Sequence, residues 1–83
     1  MWHVYILKCS DGTLYTGSTN NLARRFAAHK AGRGGRYTRS HSPVAIAYTE
    51  RCKNKSHALT REHAIKQLRR DRKLRLIQRA HKR

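Results

Sequence analysis

The chain reads as a small α/β protein of the α+β type, and three observations carry that reading. An aromatic and β-branched run, Trp2 to Cys9, meets a Ser10-Asp11-Gly12 interruption and a second short run, Thr13 to Gly17, which is the pattern of a β-hairpin. Capping side chains precede basic stretches with helical spacing, and between the first two of these Pro43 opens another strand-like run. The length, 83 residues, suits one domain, 1–83, with a small core and a basic C-terminal tail from about 79 to 83.

The hairpin matters because its register decides where two phenols point. A two-residue Asp11-Gly12 loop would pair Ser10 with Thr13 and send Tyr5 and Tyr15 to opposite faces. A three-residue loop with Gly12 in the left-handed region, closing as a G1 bulge, pairs Cys9 with Thr13, sets Tyr5 against Gly17 and puts both phenols on one face. The second register is favoured, since a shared site needs it and Gly12 supplies the backbone freedom.

Next, Ser18-Thr19-Asn20-Asn21 offers N-capping side chains for a helix over Leu22 to Lys30, stopped by Gly32. Leu22, Ala23, Phe26 and Ala27 form its expected apolar stripe, with Arg25 and His29 one turn apart at the margin and Arg24 pointing outward. The stretch Ala31 to Ser42, rich in glycine and basic residues around Tyr37, reads either as a solvated connector or as a phosphate-tracking loop in which Tyr37 stacks on a base. A third strand follows at Val44 to Tyr48. Asn54-Lys55-Ser56 starts a second long helix reaching about Arg70, with Ile65 and Leu68 toward the core. Asp71 caps a third, whose stripe is Leu74, Ile77 and Ala80.

Charge narrows the partner. Twenty Lys plus Arg stand against 4 Asp plus Glu, a net +16 whose self-repulsion a polyanion relieves, so nucleic acid leads. A membrane is the weaker candidate: no 18-residue apolar run, amphipathic aromatic face or signal peptide is visible, and a cytoplasmic setting is expected, nucleoid-associated in a bacterial cell. Cys9 and Cys52 lack metal-site spacing and read as reduced thiols.

Phosphodiester hydrolysis needs an oriented water, charge stabilisation on phosphoryl oxygens and help for the leaving oxygen. Arg25 offers a planar donor fork, His29 an acid or base, Tyr5 and Tyr15 positioned hydroxyls, and Glu62 a carboxylate at the edge of an apolar helix face. Taken singly each has a plainer use: Glu62 as an i,i+4 partner of Lys66, the tyrosines as core residues, His29 as a structural or exposed side chain.

Taken in order, the set resembles the GIY-YIG nuclease superfamily, most closely its small stand-alone bacterial members. Val4-Tyr5-Ile6 matches the first motif and Tyr15-Thr16-Gly17 the second. Asn21-Leu22, Arg24-Arg25 and His29 match the first helix, Glu62 with Ile65-Lys66 the second, and Lys30 to Tyr37 and Pro43 extend the likeness. The resemblance covers roughly residues 2 to 79.

It implies a three-stranded antiparallel sheet flanked by about three helices, and a metal-dependent endonuclease using one divalent ion, Mg2+ or Mn2+, held by Glu62. It implies that Arg25 stabilises the scissile phosphate, that Tyr5 and Tyr15 position or deprotonate the attacking water, and that His29 assists proton transfer. A free phenol has a pKa of about 10, so a tyrosine base would need its pKa depressed. Ser18, Arg24, Lys30, Arg33, Arg36, Tyr37, Arg39 and Lys66 are the residues expected against nucleic acid.

His3-Val4 replaces the usual Gly-Ile, Leu74 stands where many relatives carry an asparagine, and there is no room for a separate DNA-reading domain. Target choice then falls to strandedness, shape, the basic loop or a protein partner. The expected function is cleavage of single-stranded or branched DNA, in repair or recombination. RNA is the alternate polyanion, and a non-catalytic binding module is the rival reading.

Overall fold

The computed structural model describes residues 1–81. Its elements run β1 (Trp2–Cys9), β2 (Leu14–Thr19), α1 (Leu22–Lys30), α2 (Arg36–Ser40), β3 (Pro43–Cys52), α3 (Lys55–Lys66) and α4 (Arg70–His81). The strands form one antiparallel sheet in the order β2-β1-β3. This is the expected α+β fold, with three helices of nine residues or more and one short turn of helix, α2.

The central place of β1 explains its composition. Val4, Tyr5, Ile6 and Leu7 are all buried, because both faces of the middle strand are covered. Val4 and Ile6 pack with Cys52, Ala58 and Ile65, and Trp2, Leu14, Tyr48, Leu76 and Ile77 close this core. The alternate residue, Tyr5, turns its ring toward α1.

The three-residue loop is the one formed. Cys9 N donates to Thr13 O at 2.9 Å, Gly12 N donates to Cys9 O at 2.9 Å, and Gly12 has φ 85°. Tyr5 is therefore opposite Gly17, and Leu7 opposite Tyr15. Asp11 Oδ1 accepts from both Thr13 N and Thr13 Oγ, tightening the turn.

Of the candidate caps before α1, Asn21 serves, its Oδ1 accepting from Arg24 N at 3.1 Å. At the other end Gly32, with φ 79°, lets its own N–H reach His29 O and the Arg33 N–H reach Ala28 O, a Schellman-type stop. Asn54 caps α3 in the same way through His57 N.

Several local expectations are corrected. The α1 stripe is rotated: Ala23 and Ala27 are exposed, whereas His29 is fully buried, since its ring finds a polar partner inside. The loop contains the helical turn α2, and β3 runs on to Cys52 beyond Tyr48. Helix α3 stops at Lys66 and the chain bends through 67–69, leaving Leu68 exposed. Asp71 lies inside the first turn of α4, where its charge still favours the positive helix end. Leu76 and Ile77 reach the core while Leu74 and Ala80 face outward. Arg79 belongs to α4, and the tail residues Lys82 and Arg83 lie outside the described residues.

Candidate active site

One buried imidazole organises the site. His29, fully inaccessible, lies with its Nε2 2.9 Å from the Tyr5 hydroxyl, and its ring meets the edges of both Tyr5 and Tyr15, at centroid distances of 5.9 and 5.2 Å. The two phenols therefore share one face of the sheet, as the favoured register requires. Gly17 makes room for this: a Cβ there would collide with the Tyr5 hydroxyl and ring. Gly34 is packed as tightly against the His29 ring. The sequence reading took Gly34 only as one of the loop glycines, because its burial against the His29 ring is not visible before the fold is known.

Electrostatics assigns protons here. Burial, with the Arg25 charge adding to it, holds His29 below its ordinary value of 6.5, so the ring is neutral near pH 7. Burial raises the Tyr5 hydroxyl above 10. The Arg25 guanidinium opposes this, while Tyr15 and Glu62 add to it. Tyr5 is thus a protonated phenol beside a neutral imidazole, and in the tautomer that carries its proton on Nδ1 the phenol donates to Nε2. The phenolate that a direct base would require is not favoured by these surroundings.

Arg25 is half-buried and donates from Nη2 to Gly34 O at 2.9 Å, which ties α1 to the glycine-rich loop. It also borders a groove of about 430 Å³ with Thr19, Asn20, Asn21, Arg24 and Ala28, a wall rich in donors and positive charge. Glu62 approaches from α3. Its Oε1 accepts from Ser18 Oγ of β2 at 2.5 Å, and Oε2 pairs with Lys66 Nζ at 2.7 Å. The plain i,i+4 pair with Lys66 is therefore formed alongside the cross-element contact to Ser18.

The remaining candidates divide. Arg24, Lys30, Arg33, Arg36 and Arg39 are exposed, with Lys30 over the Phe26 ring. Tyr37 is stacked within the protein, 5.6 Å from Tyr15 and 4.1 Å from His41 between ring centroids. His41 Nε2 in turn lies 3.7 Å from Asp11, so an aromatic ladder links the hairpin loop, α2 and Tyr15.

A second network escaped the sequence reading. Arg61 donates from Nε and Nη2 to the two oxygens of Glu50, at 2.6 and 2.9 Å, and the Tyr48 hydroxyl donates to Glu50 Oε1 at 2.7 Å. It bolts α3 to β3 one residue before Glu62 and so helps to set that carboxylate. Arg61 holds Glu50 below the usual carboxylate range, and burial beside Glu50 pushes Tyr48 up to about 12. Only the shared presence of acid and base could have hinted at it, because their pairing crosses elements distant in sequence.

With the two tyrosines, arginine, histidine and glutamate located, the sequence also matches the GIY-YIG catalytic domain over residues 1–75. The chain belongs to the GIY-YIG catalytic-domain family. A UPF0213 protein of Desulfotalea psychrophila is 51% identical over 82 residues, 98% of this chain and 74% of the relative. Another from Natronomonas pharaonis is 53% identical over 75 residues, 90% of this chain and 88% of the relative. The solution NMR structure of a UPF0213 protein from Bacillus halodurans superposes with a TM-score of 0.59 at 38% identity, covering 94% of this chain and 84% of that one.

The GIY-YIG family implies a divalent ion, and the donor set suits one of a particular kind. Among the described residues no three His, Cys, Asp or Glu side chains cluster. A lone carboxylate suits a hard ion that keeps most of its waters, such as Mg2+ or Mn2+, and Glu62 would hold it. Among the described residues no helix is long and apolar enough to cross a membrane.

Proposed function

We propose that this GIY-YIG protein is a metal-dependent endonuclease that hydrolyses phosphodiester bonds in DNA, with single-stranded or branched DNA preferred over a defined duplex sequence. The observation that carries the reading is the buried His29 in contact with both Tyr5 and Tyr15, with Arg25 beside them. A neutral imidazole against a protonated phenol makes a relay: Tyr5 takes a proton from the attacking water as it passes its own to His29 Nε2. Arg25 neutralises charge on the phosphoryl oxygens, and Tyr15 helps to orient the nucleophile. A divalent ion on Glu62 would supply Lewis-acid stabilisation of the phosphate.

The preference for unpaired strands is supported by the Tyr15-Tyr37-His41 ladder set among Arg33, Arg36 and Arg39, since aromatic faces and a basic track suit splayed bases. For Tyr37 to stack on a base, the base would replace one of its present ring partners. Such strands arise in repair and recombination, the setting we assign, within the cytoplasm. Targeting by a protein partner would add selectivity to a site that reads shape.

The test is direct. Purified protein is incubated with labelled single-stranded, forked, duplex DNA and RNA substrates in Mg2+, Mn2+ or EDTA. Metal-dependent products on single-stranded or forked DNA are expected. Binding without cleavage in every metal would favour the non-catalytic module, and cleavage confined to RNA would reassign the substrate.

A further inference from the structure

Both oxygens of the Glu62 carboxylate are engaged within the protein, but by partners of different kind, a hydroxyl on a short strand and an exposed lysine. Ser18 is fixed on β2 and donates to Oε1, whereas Oε2 is held by the ammonium of Lys66, whose side chain is 49% exposed against 18% for Glu62. A metal approaching Oε2 meets a like charge on the same atom. The flexible lysine is the partner able to leave, because an exposed ion pair is weak and its four-carbon stem is free to swing. A nucleic-acid phosphate is a competing anion for that ammonium.

We propose that Lys66 is a tethered stand-in for the divalent ion, occupying Glu62 Oε2 until a phosphate of the substrate draws it away. Metal and nucleic acid then bind cooperatively through this one side chain. The proposal rests on Glu62 being the metal ligand. Linkage makes the effect reciprocal: whatever factor the substrate adds to metal affinity, the metal adds to substrate affinity.

The experiment measures Mn2+ binding to DNA-free protein from the electron paramagnetic resonance signal of the free ion. It compares the parent with Lys66→Met, Lys66→Arg, Lys53→Met and Glu62→Gln. Lys53 is exposed at the start of the β3–α3 connection, so Lys53→Met removes the same charge away from Oε2. Lys66→Met should bind Mn2+ about fivefold tighter or more, with Lys66→Arg and Lys53→Met within about twofold of the parent. Equal affinity in Lys66→Met and Lys53→Met would overturn the proposal while leaving Glu62 a ligand. Undiminished binding in Glu62→Gln would instead overturn the ligand assignment beneath it.

A second arm reads the cooperativity, using anisotropy of a labelled oligothymidylate with and without Ca2+. The parent should bind more tightly with Ca2+, by a ratio that shrinks in Lys66→Met. The same ratio in both proteins would overturn the coupling.

Discussion

His29 shows how burial sets chemistry at a single residue. Its folded pKa is lowered, so as pH falls through 6.5 the unfolded chain takes up a proton that the folded ring resists. The sign is therefore a loss of stability as the solution is acidified below about 6.5, with no contribution above it. Urea midpoints between pH 7.5 and 5 for the parent and His29→Gln should show a shallower fall in the variant. Gly17 gives a steric counterpart. In Gly17→Ala the new methyl must push Tyr5 off its seat, costing about 1–3 kcal/mol in thermal unfolding and most of the cleavage rate. Part of this site was legible beforehand. The order of Tyr5, Tyr15, Arg25, His29 and Glu62 and the loop chemistry of Gly12 were enough to place the phenols together, whereas the depth of His29 was not, since a histidine in an alanine-rich helix carries no mark of its buried partner.

At the scale of elements, the Glu50–Arg61 bridge joins the edge strand β3 to α3, and α3 delivers Glu62. Both side chains are partly exposed, so the pair is worth only about 1 kcal/mol, at the upper end for such contacts because it is bidentate and supported by Tyr48. Arg61→Met should lower stability by that amount and also weaken catalysis through Glu62. A Glu50→Gln, Arg61→Met double-mutant cycle should return a coupling of similar size. The helix ends were the least legible feature. From 54 to 81 the sequence has no Gly or Pro and favours helix throughout, so the break at 67–69 comes from tertiary packing, which needs Leu76 and Ile77 against the core of Val4, Ile6, Cys52, Ala58 and Ile65. The strand order was invisible for a related reason. Burial of both faces of β1 is visible only once β3 is seen to pair on its far side.

For the whole molecule, the net +16 sets how it meets its partner. Exposed Arg33, Arg36 and Arg39 on the loop and the arginine-rich α4 offer several phosphate contacts. The logarithm of affinity should fall linearly with the logarithm of salt, with a slope of about 0.7 per contact for single strands. Replacing one of these arginines by alanine should reduce the slope by one contact, and a salt-independent affinity would remove the polyanion argument. The overall fold was legible because hairpin, caps and basic helices agree locally with the final structure. The charge alone, however, does not separate an enzyme from a binding protein.

That separation rests on Glu62, which among the described residues is the carboxylate bonded to Ser18 of β2 and Lys66 of α3 near the Tyr5–His29 pair. The deciding measurement is single-turnover cleavage of labelled single-stranded DNA by the parent and Glu62→Ala, with affinity for the same strand measured in parallel. Cleavage should fall by at least about 100-fold, while affinity holds or rises because a negative charge has left a basic surface. A Glu62→Ala protein that cuts as fast as the parent, in preparations free of contaminating nuclease, would contradict the account.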